Sequence, residues 1–351
     1  MSDLSYLQAV VIGGLQGITE LFPVSSLGHS VLVPALIGGS WQHLVTENAD
    51  GNSSGSPYLA FVVALHVATA LALLAFFRRD WARIIRAFGT TLRTHKVRTS
   101  TERLAWLIVV ATVPVGLTGL VLERTFRTLF AKPLAAAVFL TLNGLLLLLG
   151  ERLRRTSQAR AVTAPAVETL ETVSVGDGPV PAGPTGSLYG VTDRPAAQPS
   201  PSAPPAPSKS SSPWVDGLRP GARSRTLDTL SYKEAGVIGL FQTLALFAGI
   251  SRSGITMVGG LLRGLDHEDA AKFSFLLATP VILAAGLLKL PSLTGPAAAD
   301  IHGQVLAGFL TAGVAAYAAV RFLSRYFTTR TLTPFAVYCL LAGAISIVRF
   351  A

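Results

Sequence analysis

Residues 11–30 read VIGGLQGITELFPVSSLGHS and residues 237–256 read VIGLFQTLALFAGISRSGIT. A shift of 226 positions superposes them with Val11/Val237, Ile12/Ile238, Gly13/Gly239, Gln16/Gln242, Ser25/Ser251 and Gly28/Gly254 identical. Six identities in apolar sequence decide little alone. Their weight comes from position, because each copy opens a half of the chain with the same plan. Residues 5–38 are apolar but broken at Phe22-Pro23, and residues 234–264 are broken at Ala248-Gly249. Each fragment falls short of the roughly 20 residues a spanning helix needs, so each region reads as a re-entrant helix pair. Three unbroken apolar runs come after each, at 58–77, 104–123 and 133–150, then at 272–294, 302–322 and 333–350.

Parity sets the geometry. A re-entrant pair returns to the side it entered from, and three spans are an odd number, so the second half starts from the opposite face. The expected fold is an all-α polytopic membrane protein: six transmembrane helices plus two re-entrant pairs in an inverted-topology repeat. The halves are 1–150 and 233–351, with their broken helices meeting near the midplane. Backbone irregularity at that depth is tolerated only beside protein or a water-filled cavity, which marks the breaks as a functional site.

Composition agrees. Half of the 351 residues are hydrophobic and only 14% are charged, against about a quarter in soluble proteins. No Lys or Arg precedes Arg78, so the first apolar stretch lacks a signal peptide's basic region and is read as retained. Residues 151–232 differ: PAAQPSPSAPPAPSKSSSP has no helical period, and the segment reads as a disordered Pro/Ala/Ser-rich insertion. The net charge of +10 reflects topology rather than nucleic-acid binding, because the basic residues gather between apolar runs. Residues 78–103 hold eight Lys or Arg, and Arg321, Arg325 and Arg330 flank the last gap. Residues 1–57 and 291–301 hold none, so the positive-inside rule puts both termini outside and the insertion in the cytoplasm of a plasma-membrane protein. The lone cysteine, Cys339, reads as a core filler.

Ionisable groups within the bilayer are costly and face a partner or a cavity. Glu20 is the acidic residue so placed, Arg252 the outstanding basic one, and His29 and His66 the histidines. The repeat brings Glu20, His29 and Arg252 toward one another. Ser251-Arg252-Ser253-Gly254 before a helix offers hydroxyls, free N–H groups and a guanidinium, a set suited to phosphate, with Thr256 a further donor. The plainer reading pairs Arg252 with Glu20 simply to join the halves. In the first motif Ser25 and Ser26 are candidate nucleophiles, and His29 lies one turn after Ser26, where an imidazole can take the serine proton. Glu20 holds a divalent cation, orients His29 or acts as a base, and Gln16 one turn earlier adds an oxygen. For His66 a hydrogen-bonded packing role is favoured. Asp266-His267-Glu268-Asp269 reads as a solvated helix start rather than a metal cluster.

Together the two motifs resemble those of the undecaprenyl-diphosphatase family, the bacitracin-resistance type of membrane phosphatase. The family's first motif is approximately (E/Q)G-x-TE-x-x-P-(I/V)-SS-T-GH, matched by Gln16 through His29 with Leu27 in place of Thr. Its second is approximately PG-x-SRSG-x-T, matched by Ala248 through Thr256 with Ala248 in place of Pro. The resemblance implies hydrolysis of a polyprenyl diphosphate lipid to its monophosphate, recycling the carrier for cell-wall synthesis. It further implies Ser26 as nucleophile, His29 as its acid/base partner, Arg252 as phosphate clamp, and Ser25, Ser251, Ser253 and Thr256 around the phosphate. Glu20, with Gln16, would hold Mg²⁺ or Ca²⁺. A homodimer is left open. The competing class is a lipid-phosphate flippase, since inverted repeats with broken midplane helices also mark transporters. A nucleophile beside a base favours the enzyme.

Overall fold

The computed structural model describes residues 4–42, 57–130, 132–163, 225–293 and 301–351. Among them lie α1 (Tyr6–Thr19), α2 (Ser26–Ile37), α3 (Pro57–Phe76), α4 (Arg78–Thr94), α5 (Ser100–Phe130) and α6 (Pro133–Thr163). After the insertion come α7 (Tyr232–Thr243), α8 (Arg252–Leu262), α9 (His267–Leu293), α10 (His302–Tyr326) and α11 (Thr333–Phe350). Short 3₁₀ turns occupy Leu227–Thr229 and Leu244–Leu246, and the described residues contain no strand, only one bridge between Arg225 and Leu265. The expected all-helical class is what the structure has. Five helices, α5, α6, α9, α10 and α11, are long and apolar enough to cross a bilayer. A sixth is reached if α3 and α4, bent by 86° at Phe77, count as one.

Two expectations about segment ends are corrected. The basic stretch after α3 is a helix and not a loop through Thr94, because Trp81, Ile84, Ile85 and Phe88 recur at helical spacing. Asp80 in its first turn and Arg93 in its last complement the helix dipole. The third run likewise does not stop at 150: α6 continues to Thr163, carrying the first part of the expected insertion. Residues 164–224, the bulk of that insertion, lie outside the described residues.

The 226-residue shift reappears in local structure. Ser5 caps α1 in a capping box with Gln8, and Ser231 caps α7 in a capping box with Glu234. Ser25 caps α2 through the N–H of Gly28, and Ser251 caps α8 through that of Gly254. Each pair also returns to where it began. Gln8 at the start of α1 meets Ser40 just past α2, and Arg225 just before α7 pairs with Gly264 just past α8.

Close helix contacts follow the same pairing. α1 packs on α10 and α7 packs on α5, with α3 between α9 and α10. A Cβ on Gly13 would fall 2.5 Å from the Gly308 carbonyl oxygen, and one on Gly239 would overlap the Ala111 backbone. Small residues at such crossings let helix backbones approach in the absence of a hydrophobic driving force between them.

Arg225 closes the second pair electrostatically. Its guanidinium donates to both Glu234 carboxylate oxygens at 2.6 and 3.1 Å and to the Arg263 carbonyl at 3.1 Å, joining the entry of α7 to the exit of α8. The Arg225 hydrogen bonds, aided by the Ser231 N–H, pull the Glu234 carboxyl down from 4.5 to about 2. A depressed carboxylate stabilises the fold above its unfolded-state value and loses that contribution as pH falls from about 4.5 toward 2. Arg225 is 39% exposed, so the pair is screened and contributes about 1 kcal/mol or less. Wild type is therefore expected to lose ~1–2 °C of melting temperature over that acid window beyond what Glu234→Gln loses. Parallel acid melts of the two proteins in detergent test this, and identical losses would refute it.

Candidate active site

α1 ends at Thr19, leaving Glu20 at its C-cap, and the chain then runs without helix through Pro23 to Ser25. Ser25 adopts φ 71°, a left-handed conformation unusual for a residue with a side chain. Two hydrogen bonds hold it there: its Oγ accepts from the Gly28 N–H and from the Gly249 N–H, both at 3.2 Å. The second break turns at Gly249, φ 117°, where a Cβ would lie 2.5 Å from the Ala136 carbonyl oxygen, so only glycine fits. The two breaks, far apart in sequence, thus touch.

Asn143 joins them. Fully buried on α6, it donates Nδ2–H to the Pro23 carbonyl and accepts the Ser251 N–H on Oδ1, both at 3.0 Å. A carbonyl on one side and an N–H on the other fix the orientation of its amide. Ser253 Oγ donates to the Phe22 carbonyl at 3.2 Å and lies 3.0 Å from Ser251 Oγ. Both hydroxyls therefore face the opposing backbone. Thr256 Oγ1, one turn after Arg252, is buried without a hydrogen-bond partner.

Glu20 is the hub. One carboxylate oxygen accepts from the Arg252 guanidinium. The other accepts from Ser26 Oγ at 2.5 Å and from Gln16 Nε2 at 3.0 Å, and lies 3.5 Å from His66 Nε2. The Glu20 side chain is only 4% exposed, so its charge requires this surrounding set. Ser26 is the first residue of α2, and Arg252 the first of α8, so two helix N-termini converge on the same carboxylate.

His29 has other partners. Its Nδ1 lies 2.7 Å from the Ser25 carbonyl, which can only accept, so Nδ1 carries a proton. Nε2 faces the Tyr338 hydroxyl at 2.7 Å, with the two rings stacked at 5.7 Å. Of the residues expected from sequence, Glu20, Ser26, Arg252 and Gln16 are brought into contact, while His29 stands one turn along α2 and hydrogen-bonds elsewhere. His66 is packed as expected, through Nδ1 to the Val62 carbonyl at 2.8 Å, yet its other nitrogen also faces Glu20. Asn143 and Tyr338 are site residues that sequence reasoning misses. A solitary Asn in LTLNGLLLLL is the available signal for the first. Tyr338 offers none, since a tyrosine near a span end is ordinary. The acids after Leu265 serve local structure: Asp266 caps α9 through the Asp269 N–H, and His267 meets Glu151 at 2.8 Å.

A family model described as bacitracin resistance protein BacA matches residues 9–177 and 211–345, which takes in both breaks and every helix from α2 to α10. The chain belongs to that family. Undecaprenyl-diphosphatase 2 of Frankia alni is 67% identical over the whole of this chain and 99% of its own. Undecaprenyl-diphosphatase of Mycolicibacterium paratuberculosis is 52% identical and undecaprenyl-diphosphatase 1 of Frankia casuarinae 50%, each over 100% of this chain and 99% of the relative. The stretch the BacA model passes over, residues 178–210, is the Pro/Ala/Ser-rich part of the insertion. Helices α2 to α10 and the converging breaks fall within what is matched, and only the outer ends of α1 and α11 extend past it.

Glu20 and Ser26 carry hard oxygen atoms of the kind Mg²⁺ and Ca²⁺ take, while Gln16 turns its Nε2–H to the Glu20 carboxylate. Among the described residues no three His, Cys, Asp or Glu side chains cluster. The donors fit an ion that completes its shell with phosphate oxygens and water, as Mg²⁺ commonly does.

Proposed function

We propose that this BacA-family protein hydrolyses undecaprenyl diphosphate to undecaprenyl phosphate and inorganic phosphate in the bacterial plasma membrane. The observation that carries the reading is the meeting of Ser26, Glu20 and Arg252 at two crossed helix breaks, in a chain two-thirds identical to a protein named for that activity. Arg252 and the N-terminus of α8 hold the terminal phosphate. Ser26 Oγ attacks its phosphorus in line, the anhydride P–O bond breaks, and undecaprenyl phosphate leaves. Water then attacks the phosphoserine, the P–Oγ bond breaks, and phosphate departs.

Glu20, already bonded to the Ser26 hydroxyl, receives its proton during attack. The Nε2 of His29, whose tautomer is set by the Ser25 carbonyl, serves as the acid/base nitrogen for the hydrolytic step once Tyr338 yields it. Ser25, Ser251 and Ser253 shape the phosphate site by holding the two breaks in register, and Thr256 keeps an unpartnered hydroxyl one turn after Arg252. Glu20 and Gln16 would hold the divalent cation, which when bound neutralises charge on the diphosphate. Positioning and electrostatics dominate catalysis of this kind.

The same reading includes the topology: six spans and two re-entrant pairs, with halves 1–150 and 233–351 inverted across the midplane. Its supports are the matched capping boxes, the matched N-caps and the return of each helix pair to its own start. Both termini and the catalytic face lie outside, and the 151–232 insertion lies in the cytoplasm. The comparisons speak for the phosphatase and lend the carrier alternative no support.

Ser26→Ala is expected to abolish metal-dependent phosphate release from undecaprenyl diphosphate while leaving the detergent-purified protein folded. Acid quenching of the wild-type reaction should trap phosphate on Ser26. Release persisting in the alanine variant would move the nucleophile to water or to Ser25.

A further inference from the structure

The catalytic reading leaves α4 unexplained. It turns 86° away from the apolar α3 and carries Arg78, Arg79, Arg83, Arg86 and Arg93, all exposed. A helix leaving the membrane direction at a right angle, apolar on one side and rich in arginine on the other, lies along an interface. Beneath its apolar side is a groove of about 510 Å³, lined by Trp81, Ile84, Ile85 and Phe88 of α4 and by α5 from Ala105 to Leu120. That stretch of α5 spans 16 residues, about 22 Å along the helix from first to last, which is longer than the half-thickness of a bilayer's hydrocarbon core. The groove therefore extends from the arginine-bearing helix deep into the apolar region. At its α4 end the Trp81 Nε1–H is buried without a hydrogen-bond partner. A buried indole donor normally finds an acceptor, so this one is an unmet hydrogen-bonding group beside the groove that Trp81 lines.

We propose that α4 and α5 form a binding site for one anionic glycerophospholipid, distinct from the catalytic centre. The arginines take the phosphate, as guanidinium groups do through charge-assisted hydrogen bonds. Trp81 donates to an ester or phosphate oxygen, and an acyl chain fills the groove along α5. Charge sets the preference, because a net-negative headgroup complements a helix whose five arginines face a single acid, Asp80, already paired with Arg83 at 2.8 Å. The proposal does not depend on the phosphatase reading, because no residue of the site around Glu20 takes part.

The test uses the full-length protein in vesicles of phosphatidylcholine containing either brominated phosphatidylglycerol or brominated phosphatidylcholine. The Trp81 emission is taken as the difference between wild type and Trp81→Phe. Brominated phosphatidylglycerol should quench it at least about threefold more effectively than brominated phosphatidylcholine, given the affinity each basic residue adds. Arg83→Gln with Arg86→Gln should erase that preference while leaving phosphate release unchanged. Val113→Phe, which fills the groove without touching charge, should weaken quenching by both lipids and keeps the test valid if the double variant fails to fold. Equal quenching in wild type would overturn the proposal. So would relief of phosphatidylglycerol quenching by equimolar polyprenyl phosphate, which would assign the groove to the reaction product instead.

Discussion

Arg252→Ala is expected to lower phosphate release on the order of 10²–10³-fold, the range lost when a single preorganised charge donor is removed. Arg252→Lys should recover little, because a compact ammonium cannot present the planar fork that reaches Glu20 and a phosphate together. The alanine variant also leaves the Glu20 carboxylate buried without its cation, a change that costs about 3–5 kcal/mol. Stability and chemistry are separated by the double variant Arg252→Ala with Glu20→Ala, which removes both charges. Its melting temperature should rise above that of the single variant while its activity stays lost. If the double variant instead regained activity, the pair would be a strut between the two breaks and not a catalytic element. Arg252→Ala retaining more than about a tenth of wild-type turnover would equally exclude the arginine as phosphate clamp.

Asn143→Leu is the second large effect. The leucine keeps the volume but leaves the Pro23 carbonyl and the Ser251 N–H buried and unpaired, each costing about 1–3 kcal/mol. Those two groups belong to opposite breaks, so their separation shifts Ser26 relative to Arg252. A misplacement of about 1 Å in a reacting geometry can reduce turnover some 10²-fold. The loss should therefore fall on kcat, with KM little changed, in protein that still elutes as a folded species. A folded Asn143→Leu variant with wild-type kcat would show that the breaks are held in register without the amide.

Much of this architecture is legible from sequence because bilayer physics leaves few options. An apolar run of about 20 residues has to be a helix, since hydrocarbon supplies no partner for an open backbone. The runs at 133–150, 302–322 and 333–350 are helices on that basis, and the structure places α6, α10 and α11 there. The same logic fails where length and apolarity stop being informative. α4 is too charged to register as a span, and its helical period is obscured by the arginines that make it amphipathic. Apolarity ends α6 too early, because Glu151 to Arg155 look like solvated chain although charged residues sustain a helix readily.

At the site the sequence by itself determined which chemistry is present. Glu20, Ser26, His29 and Arg252 stand out because polar groups in an apolar context are too costly to be incidental. Which of them touch was decided by tertiary structure. The bond from Ser26 to Glu20 depends on the left-handed turn at Ser25, and that turn depends on Gly249, 224 residues away in the chain. His29 meets Tyr338 and not Ser26 because α11 closes against α2 at that point. Asn143 matters only because α6 passes between two breaks whose free N–H and carbonyl groups need partners. Spacing along one helix can be counted from sequence, but the satisfaction of backbone groups exposed by a broken helix depends on whichever distant segment packs there.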